Sequence, residues 1–400
     1  MKIDSSNTTK SFFKIGAGFL LLTLIQLSFM IVCVYVLQSI ALLLLSAAFI
    51  IWFFAFSFHR FQSFSVSLGA TLISLSMIEA AIPFFLTNNL ALTKYDPNSD
   101  LFNGYFQRND DIGWFAKEGI YTAGKLSASG HEVIYNVKYR IGQDGFRLTP
   151  SISKEKAAAY PDDLLRINFF GCSFMFGEGL NDDETIPFFV GKHLDSTHVK
   201  NFGFHGYGIH NALAIMQSNF NTNGSINVLL TAPWHATRSA CKEKSTFGSP
   251  KYVFDGDKVT KNGICGDASN SLMSEILSRS NIYKIIAPIR STAVNKDFEL
   301  YLRLVEEMFE KSRSNNQTFL VAFIKVEKDY FARSDYTNEM IFSALSKTSD
   351  AIIDVTLANT AEDIDPSLYI HSLDRHPSAK ANAERANAII ELIKLKNIIP

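Results

Sequence analysis

The sequence predicts an α/β protein: a parallel sheet with helices on both faces, preceded by three apolar transmembrane segments and a small β-rich segment. Three observations carry this. Charge is segregated, with only five Lys/Arg (Lys2, Lys10, Lys14, Arg60, Lys94) and two acids (Asp4, Glu79) in residues 1–94, out of 38 and 39 in the 400-residue chain. That same stretch holds three long apolar runs. From residue 164 onward, short apolar runs alternate with helical patterns, which implies a parallel sheet covered on both sides.

Composition removes several classes. The chain is 47% hydrophobic and 19% charged, so it lacks the low hydrophobicity and high net charge of a disordered protein. Its formal charge of −1 argues against nucleic-acid binding, which usually shows a basic stripe. Four cysteines in 400 residues do not make a disulfide scaffold.

Residues 15–37 and 40–58 carry no formal charge, and residues 65–86 carry only Glu79. A helix needs about 20 apolar residues to cross about 30 Å of hydrocarbon, so all three qualify as spans. The first run is longer than the roughly 7–15 apolar residues of a cleaved signal peptide and reads as a retained anchor. Lys2, Lys10 and Lys14 precede the first span and His59-Arg60 separates the second from the third. The positive-inside rule then places the amino terminus in the cytoplasm and residues 95–400 outside. In a bacterium this is a multi-pass inner-membrane protein with a periplasmic or extracellular body. Glu79 lies near the outer end of its span, where a carboxylate is expected to snorkel to the interface.

The domains expected are a membrane anchor over 1–90, a β-rich lead-in over 91–160, and an α/β domain over 161–400. In the lead-in, residues 133–141 alternate as a strand does, and Gln143-Asp144-Gly145 signals a turn. The α/β domain shows strand patterns at 164–170, 199–202, 226–231, 318–326 and 351–355. Helical patterns fall at 183–194, 209–220, 297–311 and 379–395. Residues 239–290 break the rhythm and read as an insertion over one edge of the sheet. With Cys33 in a span and Cys172 ending a strand, Cys241 and Cys265 are the pair free to form a disulfide, which an oxidising exterior permits.

The sharpest local feature is Phe170-Gly171-Cys172-Ser173-Phe174-Met175-Phe176-Gly177-Glu178-Gly179. It follows a buried strand, and ligands of open α/β sheets bind beyond the carboxyl ends of strands. A serine there needs a base within hydrogen-bond reach to act as a nucleophile. Asp374-Arg375-His376-Pro377, just before the last helix, supplies an acid and a histidine two residues apart, which can point the same way in an extended loop. An imidazole held by a carboxylate is the partner a nucleophilic serine requires. A third segment, Asn201-Phe202-Gly203-Phe204-His205-Gly206-Tyr207-Gly208, follows the second strand; glycines there let amides approach a substrate oxygen.

These three segments, in this order, resemble the blocks of the SGNH (GDSL) hydrolase family over roughly residues 164–395. The resemblance implies a flavodoxin-like three-layer fold and ester hydrolysis or acyl transfer. It places Ser173 at the nucleophile, His376 at the base, Asp374 at its partner, and the Ser173 and Gly206 amides in the oxyanion hole. Residues 139–147 resemble a lead-in found before the nucleophile in bacterial members. Two departures stand out. Cys172 replaces the usual Asp beside the nucleophile. The Gly-x-Asn-Asp block becomes Ala232-Pro233-Trp234-His235-Ala236-Thr237-Arg238, which makes His235 a candidate third oxyanion donor and Arg238 a candidate binder of an anionic substrate.

No cofactor or metal is expected: the histidine spacings do not match His-Glu-x-x-His, and no dinucleotide fingerprint is present. The expected partners are an ester or acylated glycan, the lipid bilayer, and a membrane protein docked on the three spans. The alternatives are an O-acyltransferase for cell-surface polysaccharide and a non-catalytic glycan-binding relative.

Overall fold

The computed structural model describes residues 39–57, 62–86, 93–102, 104–150, 165–194, 197–218, 220–266, 280–282, 291–357 and 365–396. The chain divides into two compact units, Met1–Leu90 with Ala268–Ile289, and Ala91–Asp267 with Arg290–Pro400.

In the first unit, the helices Ile40–Ser57 and Gln62–Leu86 are joined by a hydrogen bond from Ser76 Oγ to the Ala41 carbonyl, 2.8 Å. The run at 15–37 lies outside the described residues. Among the described residues one stretch, Ser65–Ile82, is long and apolar enough to cross a membrane, and Ile40–Ile51 is a shorter apolar stretch. Three such helices are expected from the sequence; the described residues carry one.

Glu79 corrects a second expectation. It is buried rather than snorkelling. Its carboxylate accepts hydrogen bonds from Ser280 Oγ at 2.9 Å, from the Ile282 amide at 3.0 Å and from the Asn281 amide. The donors come from about 200 residues away in sequence, which is why hydropathy could not reveal them.

The second unit begins with β1 (Thr93–Tyr95), the hairpin β2 (Phe106–Asn109) and β3 (Gly113–Ala116), and the long pair β4 (Gly119–Ser127) and β5 (Val133–Ile141). Strands β1, β4 and β5 form an antiparallel sheet. At the turn after β5, Gly145 has φ +79°, and a Cβ there would sit 1.8 Å from the Phe115 ring; only glycine fits.

The main sheet follows: β6 (Leu165–Phe170), β7 (Thr197–Asn201), β8 (Ile226–Thr231), then β11 (Thr318–Phe323) and β12 (Ala351–Asp354). All neighbours are parallel, in the order β7-β6-β8-β11-β12. Numbered within the sheet this is 2-1-3-4-5, the flavodoxin-like order. Side chains alternate between faces, as strand geometry requires. Ile167, Phe169, Val228, Leu230 and Leu320 meet the helices Ile186–His193 and Ala379–Leu395. Phe170, Leu229, Phe319 and Val321 meet Ile209–Gln217 and Ser291–Ser314. The helix Asn338–Lys347 has no counterpart in the sequence reading, because only Ile341 and Leu345 of it are buried and its apolar stripe is too thin.

The segment expected to cover a sheet edge does otherwise. Its hairpin, β9 (Pro250–Asp255) with β10 (Lys258–Ile264), rests on the helix layer, where Tyr252 Oη donates to Gln217 Oε1 at 2.7 Å. Residues Ala268–Ile289 belong to the first unit. Cys241 and Cys265 are joined by a disulfide at the base of the hairpin.

From β6 the chain passes first to β7 on one side and then to β8 on the other. The carboxyl ends of β6 and β8 therefore bound the switch-point crevice in which such sheets bind ligands.

Candidate active site

Ser173 opens the one-turn helix Ser173–Phe176 directly after β6. The turn closes on Gly177, at φ +82°, where a Cβ would lie 2.6 Å from Thr185 Cγ2. The buried Arg147 fixes the loop that follows. Its guanidinium donates to the carbonyls of Phe176 (2.9 Å), Gly177 (2.7 Å) and Leu180 (2.6 Å) and to Asp182 Oδ1 (2.9 Å). It also stacks 4.4 Å from the Tyr139 ring centroid. Tyr139 and Arg147, from the lead-in, thus position the serine's turn.

Asp374 and His376 stand on β14 (Asp374–Pro377), paired with β13 (Tyr369–His371). Two residues apart on a strand, they point the same way. His376 Nε2 lies 2.9 Å from Ser173 Oγ, and His376 Nδ1 lies 2.5 Å from Asp374 Oδ1. The same Oδ1 accepts the backbone amide of His376 at 3.0 Å. Two residues to which the sequence reading gives no role complete the set. Lys125 of β4 places Nζ 2.6 Å from Asp374 Oδ2. Glu178, buried, lies with Oε2 2.7 Å from His205 Nδ1 and 3.6 Å from His376 Nε2. Tyr95 and Tyr135 donate to its other oxygen at 3.3 and 3.4 Å.

Charge follows from these neighbours. Burial would raise Asp374, but His376 and Lys125 outweigh it and hold the carboxyl at about 2. Burial likewise opposes ionisation of Glu178, and His376, His205 and Lys125 overcome it, holding the carboxyl well below the usual range. For His376 burial pulls down, while the Glu178 and Asp374 carboxylates more than compensate and raise it above the ordinary histidine value. The arrangement suits a base whose cationic form must be stabilised during the reaction.

A cleft of about 290 Å³ opens at this point, lined by Cys172, Ser173, Phe174, Trp234, Arg238 and His376 among others. Arg238 stands where an anionic group could meet it, with Nε tied to Glu243 Oε2 at 3.0 Å. Cys172 is a buried free thiol, but the imidazole faces the Ser173 hydroxyl. The loop after β7 abuts the nucleophile helix: a Cβ on Gly203 would lie 2.6 Å from the Phe176 amide nitrogen. Gly206 takes φ +70°, and its amide, like that of Ser173, has no hydrogen-bond acceptor among the described residues. Gly206 is not in the lining of the cleft.

His235 is placed differently from expectation. It opens the helix His235–Ser239 with its ring turned into the core, 1% exposed. Nδ1 meets Thr231 Oγ1 at 3.0 Å, and that hydroxyl meets Tyr301 Oη at 3.0 Å. With its ring buried in the core and Nδ1 on Thr231, His235 is not presented to the cleft as an oxyanion donor. Its helical position points it at the sheet. Burial, with Arg238 nearby, drives its pKa well down and keeps it neutral.

No family model matches the chain, and no curated protein matches it. Among solved structures it is similar to AlinE4, an SGNH-hydrolase family esterase, at 13% identity over 60% of this chain and 99% of that one, with a TM-score of 0.30. A member of the lipolytic protein G-D-S-L family from Veillonella parvula DSM 2008 matches at 12% identity over 57% and 98%, TM-score 0.34. A carbohydrate esterase whose active site displays divergent catalytic and non-catalytic binding functions matches at 12% over 74% and 96%, TM-score 0.35. Of these three, two are described as members of the SGNH-hydrolase or lipolytic G-D-S-L families.

Proposed function

We propose that the chain is a membrane-anchored serine esterase of the SGNH type, acting on ester-linked acyl groups of an extracytoplasmic substrate. One observation carries this reading: Ser173 Oγ, His376 and Asp374 form a continuous hydrogen-bonded line, 2.9 Å and 2.5 Å per link. Ser173 Oγ bonds to the ester carbonyl carbon as its proton passes to His376 Nε2. Asp374 Oδ1 holds Nδ1 and stabilises the imidazolium. The carbonyl electron pair moves to oxygen, where the Ser173 and Gly206 amides are the proposed donors. Collapse breaks the bond to the alcohol, which leaves with the proton from His376. Water then repeats the sequence on the acyl-serine, releasing the acid.

The location is part of the proposal. The apolar helices support an anchor in the inner membrane, and the basic residues before the first run support a cytoplasmic amino terminus. The Cys241–Cys265 disulfide supports an oxidising, extracytoplasmic setting for the body.

A fluorophosphonate probe tests the assignment. It should label the wild-type chain and fail to label Ser173→Ala. Equal labelling of the two would overturn it.

A further inference from the structure

A second cavity, of about 570 Å³, adjoins the catalytic cleft; the two share Phe174, Trp234 and Arg375 in their linings. Its charged lining residues are Lys325, Arg375, Arg385 and one acid, Glu327. Lys325 is paired with Asp354 at 2.9 Å, and Arg375 is exposed.

Arg385 stands apart from the other two. It is 7% exposed. Its Nε donates to the Val355 carbonyl at 3.2 Å, and Nη1 is buried without a hydrogen-bond partner among the described residues. The guanidinium carbon lies 5.9 Å from the centroid of the Phe174 ring, whose residue lines both cavities. Burial lowers its pKa only to about 10, so the charge persists at neutral pH. Glu384 acts on it through space, but among the described residues no carboxylate bonds it, and a buried guanidinium without a full set of acceptors is costly to maintain. Guanidinium forks match carboxylate and phosphate oxygens.

We propose that this cavity is an anion subsite: the ester substrate carries a carboxylate or phosphate, which Arg385 binds, with Arg375 as the second cation. The inference rests on the serine-esterase reading and names its substrate class as anionic esters. The anion can belong to the acyl group or to the alcohol, and the test separates the two.

The full-length protein in detergent is given mono-4-nitrophenyl succinate, with the anion on the acyl side, and 4-acetoxybenzoate, with the anion on the alcohol side. Each is compared with its own methyl ester. One anionic ester should exceed its methyl ester in kcat/KM by about tenfold or more, the scale of hydrogen bonds to a charged group. Arg385→Met should bring that ratio close to one, Arg385→Lys should restore part of it, and Arg375→Gln, at an exposed position, should lower it without a folding defect. Calorimetric binding of the same compounds to Ser173→Ala gives a readout that needs no turnover. Ratios near one in the wild type, with equal binding of anion and methyl ester, would overturn the subsite. Selective anion binding without hydrolysis of any ester would overturn the esterase reading and leave the subsite standing.

Discussion

Lys125 Nζ lies 2.6 Å from Asp374 Oδ2, so a lysine of the lead-in sheet grips the carboxylate that orients His376. Strand β4 and strand β14 are about 250 residues apart in sequence, and the ion pair ties them at the candidate site. With Tyr95 and Tyr135 on Glu178 and Arg147 on the serine's turn, the lead-in is a wall of the site rather than a spacer before it.

That wall sets the pH at which the base works. His376 must be neutral to accept the serine proton, so the acid limb of kcat/KM reports its pKa in the free enzyme. The neighbouring carboxylates raise that pKa above the ordinary value, so activity is expected to rise with pH through a limb above about 6.5. Glu178→Gln removes a charge that favours the imidazolium, and the limb should move to lower pH. Lys125→Met removes a cation that opposes it, and the limb should move to higher pH. pH profiles of ester hydrolysis for the three proteins check this. Movement of both limbs in one direction, or of neither, would show that these groups only support the fold.

Arg147 is expected to be the most sensitive lead-in residue for stability. Truncation to Met takes the donor from three carbonyls and leaves Asp182 to Arg140 alone, at 2.7 Å, a loss of about 1–3 kcal/mol for unsatisfied buried groups. Arg147→Lys keeps the charge but not the fork geometry, and should fall between wild type and Met. Urea unfolding followed by far-UV circular dichroism gives the ranking. Rates should fall too, because the loop Arg147 holds begins at Phe176, three residues from the nucleophile. An unchanged unfolding midpoint in Arg147→Met would contradict the clamp.

The parts of the site legible in the sequence are those set by local pattern. Ser173 ends a buried apolar run, Asp374 and His376 alternate on one strand, and both fall where an α/β sheet keeps its crevice. The helix Ala379–Leu395 has the bounds its periodicity gives. What stayed hidden depends on distant partners. Glu178 reads as a charge in a glycine-rich turn until His205, Lys125 and two tyrosines surround it, although an acid between Gly177 and Gly179 was the available signal. Lys125 looks like any solvent-facing strand lysine. His235 sits at a block position that suggests an active-site role, yet its helical phase turns it to Thr231. Glu79 looks like a membrane-interface acid because its donors lie at Ser280, Asn281 and Ile282.

The Cys241–Cys265 bond gives the last prediction. It closes a separation of 24 residues around the β9–β10 hairpin. Cys241 lies three residues beyond Arg238, which lines the cleft. Cys265 is held in place by its amide on the Ser249 carbonyl at 2.7 Å and by its own carbonyl accepting the Gly248 amide at 2.8 Å. A loop of this size stabilises by about 3 kcal/mol, chiefly by restricting the unfolded chain. Reduction with dithiothreitol, or the double change Cys241→Ser with Cys265→Ser, should therefore lower the melting temperature to a similar degree. Fluorophosphonate labelling at low temperature should survive, because Ser173, His376 and Asp374 take no bond from the hairpin. Differential scanning calorimetry of oxidised and reduced protein decides the first point and gel-based labelling the second. Equal melting temperatures would show that the hairpin is held by its contacts with the helix layer alone, and loss of labelling would show that Arg238 and its loop are needed to keep the cleft open.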